Sequence, residues 1–335
     1  MPVVYLTFPG LKARVSGERL ELEPPPDAAE DLFNKRRWIP LLDIDQIVID
    51  AACHLSSHSI TTLLGRGIPV FFLAHGDMPA GLALPFTRQT GILAQQIDRC
   101  RDDAFRLRRS KELIEAKVSN MRRVLQRLGA GRGCVSPTVD YLRALRAQIY
   151  GAQTLDTLRG VEGVATARYF EVYGTYFPKN LPFEKRSRRP PRNPPNAILS
   201  FLYTLLGNEI VLQLRAVGLE PAWGVLHEHE DGRPSLALDL LEPFRAPVVD
   251  STVLDLINHK RLTRDDFETT EEGGVLLRSK SRRKVFVAWE DRLEREFHYT
   301  HSGTRTTIRN QLRDHALQIK RSFREDCPLQ PFRMN

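Results

Sequence analysis

The chain has 335 residues, 41% of them hydrophobic and 27% charged, and its 49 Lys and Arg outnumber 41 Asp and Glu to leave a formal charge of +8. That length suggests roughly two domains of ~150 residues with enough chain to bury a core unaided, and the composition excludes wholesale disorder. No apolar run approaches the ~20 residues a bilayer span needs, and the N-terminus lacks a basic flank leading into an apolar core, so the expectation is a cytoplasmic protein without membrane attachment. Cys53, Cys100, Cys134 and Cys327 form no C-x-x-C pair, which points to idle thiols rather than a disulfide frame or a zinc site.

The charge is unevenly placed. Residues 1–90 carry 8 basic and 10 acidic side chains, whereas residues 91–335 carry 41 and 31, and residues 101–150 alone carry 12 and 5. The C-terminal part is therefore the candidate polyanion binder.

The first ninety residues predict strands at Val3–Thr7, Arg19–Leu22, Gln46–Ile49 and Val70–Leu73, punctuated by Pro9-Gly10, Ser16-Gly17 and Pro24-Pro25-Pro26. A short helix is expected over Ser57–Leu64, capped by Ser56 or Ser57. Asp43, Asp45 and Asp50 flank a strand, as solvated turn formers do. After Pro85 the pattern changes. Apolar residues at Ile97, Cys100, Ala104, Leu107, Ile114, Val118, Met121, Leu125 and Leu128 recur at steps of 3 and 4, predicting one long helix stopped at Gly129-Ala130-Gly131. Further helices are expected over Val139–Ile149, Leu155–Tyr173 and Ala197–Ala216, and a final amphipathic one over Thr306–Ser322. Val275-Leu276-Leu277 and Lys284–Trp289 are expected to pair as two short strands across Ser281-Arg282-Arg283. The proline-rich stretch 183–195, with Lys185, Arg186, Arg188, Arg189 and Arg192, cannot be helical and is read as a mobile basic loop that grips phosphates. The fold class expected is two-domain: an N-terminal β-rich domain, residues 1–88, followed by a larger all-α domain, residues 89–335.

Three pieces could carry chemistry. His227 ends an apolar stretch at a turn, and Ser235 can cap the helix that follows, on which Asp239 and Glu242 stand three apart on one face. Two carboxylates on a mostly apolar helix need compensation from a divalent cation, an arginine partner or exposure. Glu228, His229, Glu230 and Asp231 fall in a polar turn where side chains face water. Upstream, Glu162 lies between Gly160 and Gly163, glycines that weaken a helix by roughly 1 kcal/mol each against Ala. They are justified by a tight helix crossing or by the close approach of a ligand.

In order and spacing these pieces resemble the CRISPR-associated spacer-acquisition integrase family, the universal adaptation protein, over nearly the whole chain. The resemblance runs through Tyr5-Leu6-Thr7-Phe8-Pro9-Gly10, Leu63-Leu64-Gly65-Arg66-Gly67, Lys117-Val118-Ser119-Asn120, Arg159-Gly160-Val161-Glu162-Gly163 and Asn196-Ala197-Ile198-Leu199-Ser200. It is most specific at Gly224-Val225-Leu226-His227 and at 235–245. It implies a metal-dependent DNA integrase with endonuclease activity, which inserts short prespacer DNA into a repeat array by 3′-hydroxyl attack. A structure-selective nuclease acting on branched DNA and a catalytically inactive DNA-binding scaffold are the alternatives. The resemblance further implies a homodimer formed through the β-domain, a small ferredoxin-like partner subunit, and double-stranded and branched DNA as substrates. The metal triad maps onto Glu162, His227 and Glu242 for Mg²⁺ or Mn²⁺, with Asp239 as the nearby second carboxylate. Many members have Asp where Glu242 stands, and either Asp239 or Glu242 can be the direct ligand. Arg168, Arg245, Lys185, Arg186, Arg188, Arg189 and Arg192 are expected to hold phosphates.

Overall fold

The structure, a computed structural model, describes residues 3–25, 37–50, 52–73, 81–84, 90–131 and 136–335. Pro26, Pro85 and Cys134 lie outside them. The chain divides into two compact units, Met1–Thr87 and Arg88–Asn335.

The N-terminal unit is built from two four-stranded sheets. Strands β1 (Val3–Leu6), β5 (Gln46–Ile49), β7 (Val70–Phe72) and β8 (Gly81–Ala83) form one, in that order, with β1, β5 and β7 parallel. Strands β4 (Arg37–Pro40), β3 (Arg19–Glu23), β2 (Lys12–Ser16) and β6 (His54–Leu55) form the other. β2 alternates exposed and buried residues along Lys12–Ser16, the period of a half-buried strand, whereas all four residues of β5 are buried. Leu6, Leu20, Ile47, Leu63 and Val70 sit at the centre of the core. Helix α1 (Ser57–Gly65) starts where expected. The Ser56 hydroxyl accepts the Ser59 N–H, and the Ser59 hydroxyl in turn accepts the Val15 N–H, tying the helix to β2. Asp50 is buried rather than solvated.

The second unit is mainly helical. The long amphipathic stripe is broken into α2 (Thr90–Arg101) and α3 (Asp103–Ala130), because Asp102 leaves the helix and its carboxylate accepts the Ala104 and Phe105 N–H groups. Helices α4 (Thr138–Gly151), α5 (Leu155–Gly174) and α6 (Pro194–Ala216) follow. Among the described residues α6 is the one helix long and apolar enough to cross a membrane, a span the residue-by-residue reading did not see. Over half of that window is buried within this fold, and its Glu209 pairs with Arg309 inside the protein, so α6 is a core helix here.

Residues 235–258 form a rod whose winding changes three times: α7 (Ser235–Leu241), a 3₁₀ turn Glu242–Phe244, a π turn Arg245–Asp250, then α8 (Ser251–Asn258). Pro243 and Pro247 lack the N–H groups a regular ladder requires, and the altered winding re-aims Glu242, Arg245 and Asp250 toward one cavity. Ser235 does not cap α7. Pro234 holds the cap position and the Ser235 hydroxyl instead donates to the Glu228 carbonyl.

Two expectations fail here. Val275–Leu277 (β10) pairs with Phe267–Thr269 (β9), while Lys284–Trp289 lies inside helix α9 (Ser279–Glu294). Val285, Phe286, Trp289 and Leu293 are all buried, the spacing of a helix face, but the first three belong to a continuous apolar run whose periodicity alone does not tell helix from strand. With a second hairpin, β11 (Phe297–Tyr299) against β12 (Thr304–Thr306), the C-terminal unit is helical but not all-α. Helix α10 (Ile308–Glu325) closes the regular structure, capped by Thr307.

Candidate active site

A cavity of about 830 Å³ opens in the C-terminal unit, and Glu162, His227, Glu242, Lys117 and Arg245 all line it. The five arrive from four parts of the chain. α5 carries Glu162, α3 carries Lys117, the turn before α7 carries His227, and the rewound rod carries Glu242 and Arg245.

His227 is held by Asp239. The buried carboxylate accepts the N–H groups of Val225 (2.5 Å), Leu226 (3.0 Å) and His227 (2.9 Å), and its Oδ1 stands 2.6 Å from His227 Nδ1. Both Asp239 oxygens are thereby engaged, and the imidazole presents Nε2 as its remaining donor atom. The turn needs Gly224: a Cβ there would lie 2.5 Å from Asp239 Oδ2 and 2.8 Å from the Ser235 carbonyl carbon. Arg159 and Arg106 brace the same turn from α5 and α3, donating to the Leu226 and Val225 carbonyls. Both also pair with Glu228, which is held at the surface rather than loose in solvent. His229 lies against the Trp223 ring, with centroids 4.5 Å apart, and its Nε2 faces the Gly224 carbonyl.

Glu242 is almost fully buried beside two cations. Lys117 Nζ is 2.6 Å and Arg245 Nε 3.0 Å from its Oε2. Burial alone would raise this carboxyl, but Arg245, Lys117 and His227 together hold it well below the usual carboxylate range. The contacts to Oε2 are close in distance yet off the angles of a good hydrogen bond, so this buried oxygen lacks a well-aligned donor. Lys117 also pairs with Glu162, whose Oε1 accepts from the Thr166 hydroxyl. Behind Arg245, the Tyr203 ring lies 4.6 Å from the guanidinium, and Tyr203 donates to Asp250 Oδ1. Burial pushes the Asp250 carboxyl up to about 6, against the opposing pull of its tyrosine hydrogen bonds and of Arg245 and Arg186.

The donor chemistry fits a hard divalent cation: two carboxylates and an oriented imidazole face one cavity, and one of the carboxylate oxygens is poorly satisfied. As they stand, no three His, Cys, Asp or Glu side chains among the described residues are gathered to hold an ion. The ammonium of Lys117 lies between the two carboxylates instead.

The basic residues divide into two groups. Arg168, Lys185 and Arg188 line the cavity and are exposed, with Arg168 3.2 Å from Glu171; Arg189 is exposed outside it. Arg186 and Arg245 are half-buried in internal contacts, and Arg192, although exposed, is tied to the chain at one guanidinium nitrogen. Arg186 donates to Asn196 Oδ1 and the Ser200 hydroxyl, Arg192 to the Glu272 carbonyl, and Arg245 pairs with Glu242. Stretch 183–193 is non-helical as expected, but Asn196 fastens it by accepting the Ser187 N–H and donating to the Lys185 carbonyl. Gly160 and Gly163 have nothing within 4 Å of an added Cβ, so no helix crosses there and the space beside Glu162 is open.

Lys117 and Asp250 were not singled out from the sequence as site residues. For Lys117 a signal existed: it stands three residues after Ile114 and four before Met121, inside the apolar stripe of its helix.

Comparison with known proteins shows the family. The family model described as CRISPR associated protein Cas1 matches residues 4–291. The CRISPR-associated endonuclease Cas1 2 of Rhodospirillum rubrum is 35% identical over 309 residues, covering 88% of this chain and 86% of that one. Among solved structures, a casposase bound to integration product shares the fold with a TM-score of 0.84 at 23% identity, over 100% of this chain and 96% of that one. A chain of a Cas6–RT–Cas1–Cas2 complex does so with a TM-score of 0.78 at 22% identity, over 97% of this chain and 35% of that one. The residues that define the cavity thus lie within the matched span, and the chain belongs to the Cas1 family of CRISPR-associated proteins.

Proposed function

We propose that this protein joins DNA ends in CRISPR adaptation: a 3′-hydroxyl of a short duplex attacks a phosphodiester and displaces another 3′-hydroxyl. One P–O bond forms as one breaks, so strand transfer needs no nucleotide fuel. The observation that carries the reading is the cavity itself, where an imidazole fixed by Asp239 faces Glu162 and Glu242 beside a basic rim. Glu162, His227 and Glu242 would hold Mg²⁺ or Mn²⁺, which when bound polarises a phosphoryl oxygen and favours the alkoxide. Asp239 fixes the tautomer and direction of His227 and is a positioning residue rather than a ligand. Arg168, Lys185 and Arg188 hold phosphates on either side, and the open flank at Gly160 and Gly163 lets a DNA backbone come close to Glu162. The fold shared with a casposase bound to integration product and with a chain of a Cas1–Cas2 complex supports DNA and a small Cas2-type subunit as partners. Homodimerisation is assigned to the N-terminal unit.

The test incubates a 3′-hydroxyl duplex with supercoiled target DNA and Mn²⁺, with and without the partner subunit. Joined strands are expected, and Glu162→Ala or His227→Ala should lower their yield by about 10²–10³-fold. Cleavage without joining under every condition would favour a plain nuclease, and undiminished activity in both variants would overturn the assigned triad.

A further inference from the structure

The cation already standing between Glu162 and Glu242 is part of the protein. Lys117 has a side chain only 4% exposed, and its ammonium contacts Glu162 Oε1 and Glu242 Oε2. An ammonium this deep is tolerated because two carboxylates surround it, and it compensates them in turn, together with Arg245 at Glu242. The arrangement is self-sufficient in charge, unlike a preformed cage of bare carboxylates.

We propose that Lys117 is a built-in competitor for the divalent ion: it holds Glu162 and Glu242 together in the metal-free chain and withdraws its ammonium when an ion takes both carboxylates. This rests on the metal-dependent reading above. An ion bound to these oxygens at about 2.0–2.6 Å would stand where the ammonium now makes its contacts, and the two positive charges repel. The flexible four-carbon stem gives Lys117 somewhere to go, since the same cavity is lined by Lys185 and Arg188, where DNA phosphates would receive another cation. Metal loading would then be weak in the free protein and favoured when DNA draws the ammonium away, so that cleavage chemistry is withheld until substrate arrives.

The experiment measures Mn²⁺ binding to the DNA-free full chain by electron paramagnetic resonance. Lys117→Met should bind Mn²⁺ at least about tenfold more tightly than the unaltered protein, the scale on which a neighbouring charge acts. Lys117→Arg, which keeps the charge, should stay weak. In chelator Lys117→Met should melt at lower temperature, and Mn²⁺ should restore it. A measurement on the unaltered protein guards against variants that fail to fold: amine acylation at Lys117, read by mass spectrometry, should be slow in chelator and faster with Mn²⁺. Equal or weaker Mn²⁺ binding by Lys117→Met, or acylation indifferent to bound Mn²⁺, would overturn the competitor role while leaving the metal site standing. Absence of Mn²⁺ binding by the unaltered protein and both variants would overturn the metal-dependent reading itself.

Discussion

Two buried cations in the C-terminal unit are each surrounded by carboxylates, and they differ in what lies beyond them. Arg309 on α10 pairs with Glu209 of α6 and with Glu290 and Glu294 of α9. Burial alone would lower this guanidinium, but the three carboxylates raise it instead. Its fork spreads over partners from two helices and stitches them to a third. Lys117 has fewer carboxylates and a single point of charge, yet its partners face about 830 Å³ of open space and an imidazole fixed by a third acid, Asp239. Charge clustering alone therefore does not mark a site. A cluster closed by its own salt bridges is structural, and one whose carboxylates also face a cavity is available for chemistry.

The comparison breaks if the closed cluster proves to serve the reaction. Arg309→Met should destabilise the protein by about 3 kcal/mol or more in urea denaturation, because the buried Glu209 loses its ion pair with Arg309 and Glu290 and Glu294 lose theirs. The double variant Arg309→Met/Glu209→Met should recover part of that loss. Mn²⁺ affinity should stay unchanged in both folded variants. A specific loss of Mn²⁺ binding without loss of stability would make Arg309 part of the site.

Asp239→Asn sharpens the open side. The amide can still accept backbone N–H groups through its oxygen, but it cannot hold the imidazole as a carboxylate does. Mn²⁺ affinity should fall about 10- to 100-fold, the range seen when the outer partner of a ligating histidine is lost. Unaltered affinity would mean that His227 does not ligate, or that its direction is set by the Arg159 and Arg106 braces alone.

Much of this was legible before the structure. Ser56 declared the start of α1, the β-branched runs declared β1, β5 and β7, and the stop at Gly129–Gly131 marked the end of α3. Glu162, His227 and Glu242 converge on one cavity, as the resemblance implied. The rest failed for identifiable reasons. The apolar stripe from Ile97 to Leu128 runs through Asp102, so periodicity could not show that one side chain would cap a new helix there. The run 285–289 is continuously apolar and too short for periodicity to tell a buried helix segment from a strand. Asp239 looked like half of a carboxylate pair because its spacing to Glu242 was visible, while its bonds to three peptide N–H groups 12 to 14 residues earlier were not. Lys117 was hidden by habit: a lysine on a basic helix reads as solvated, although its neighbours Ala116, Val118 and Met121 are all buried.

The smallest effect concerns the basic rim, where the contrast between closed and open charge recurs among arginines. Both Arg188 and Arg192 are exposed, but Arg188 lines the cavity, whereas Arg192 stands outside its lining and donates to the Glu272 carbonyl. If exposure toward the cavity decides which arginines meet DNA, Arg188→Ala should weaken duplex binding similarly for all sequences and make the slope of log affinity against log salt shallower by about 0.9, one phosphate contact. Arg192→Ala should leave that slope unchanged and act only through its link to the 270–274 turn, visible as a modest loss of thermal stability. The two variants separate cleanly because one alters counter-ion release and the other alters packing. Equal slopes in both would mean that stretch 183–193 rearranges on DNA and turns Arg192 outward, and the fastening by Asn196 would then be a resting arrangement that substrate undoes.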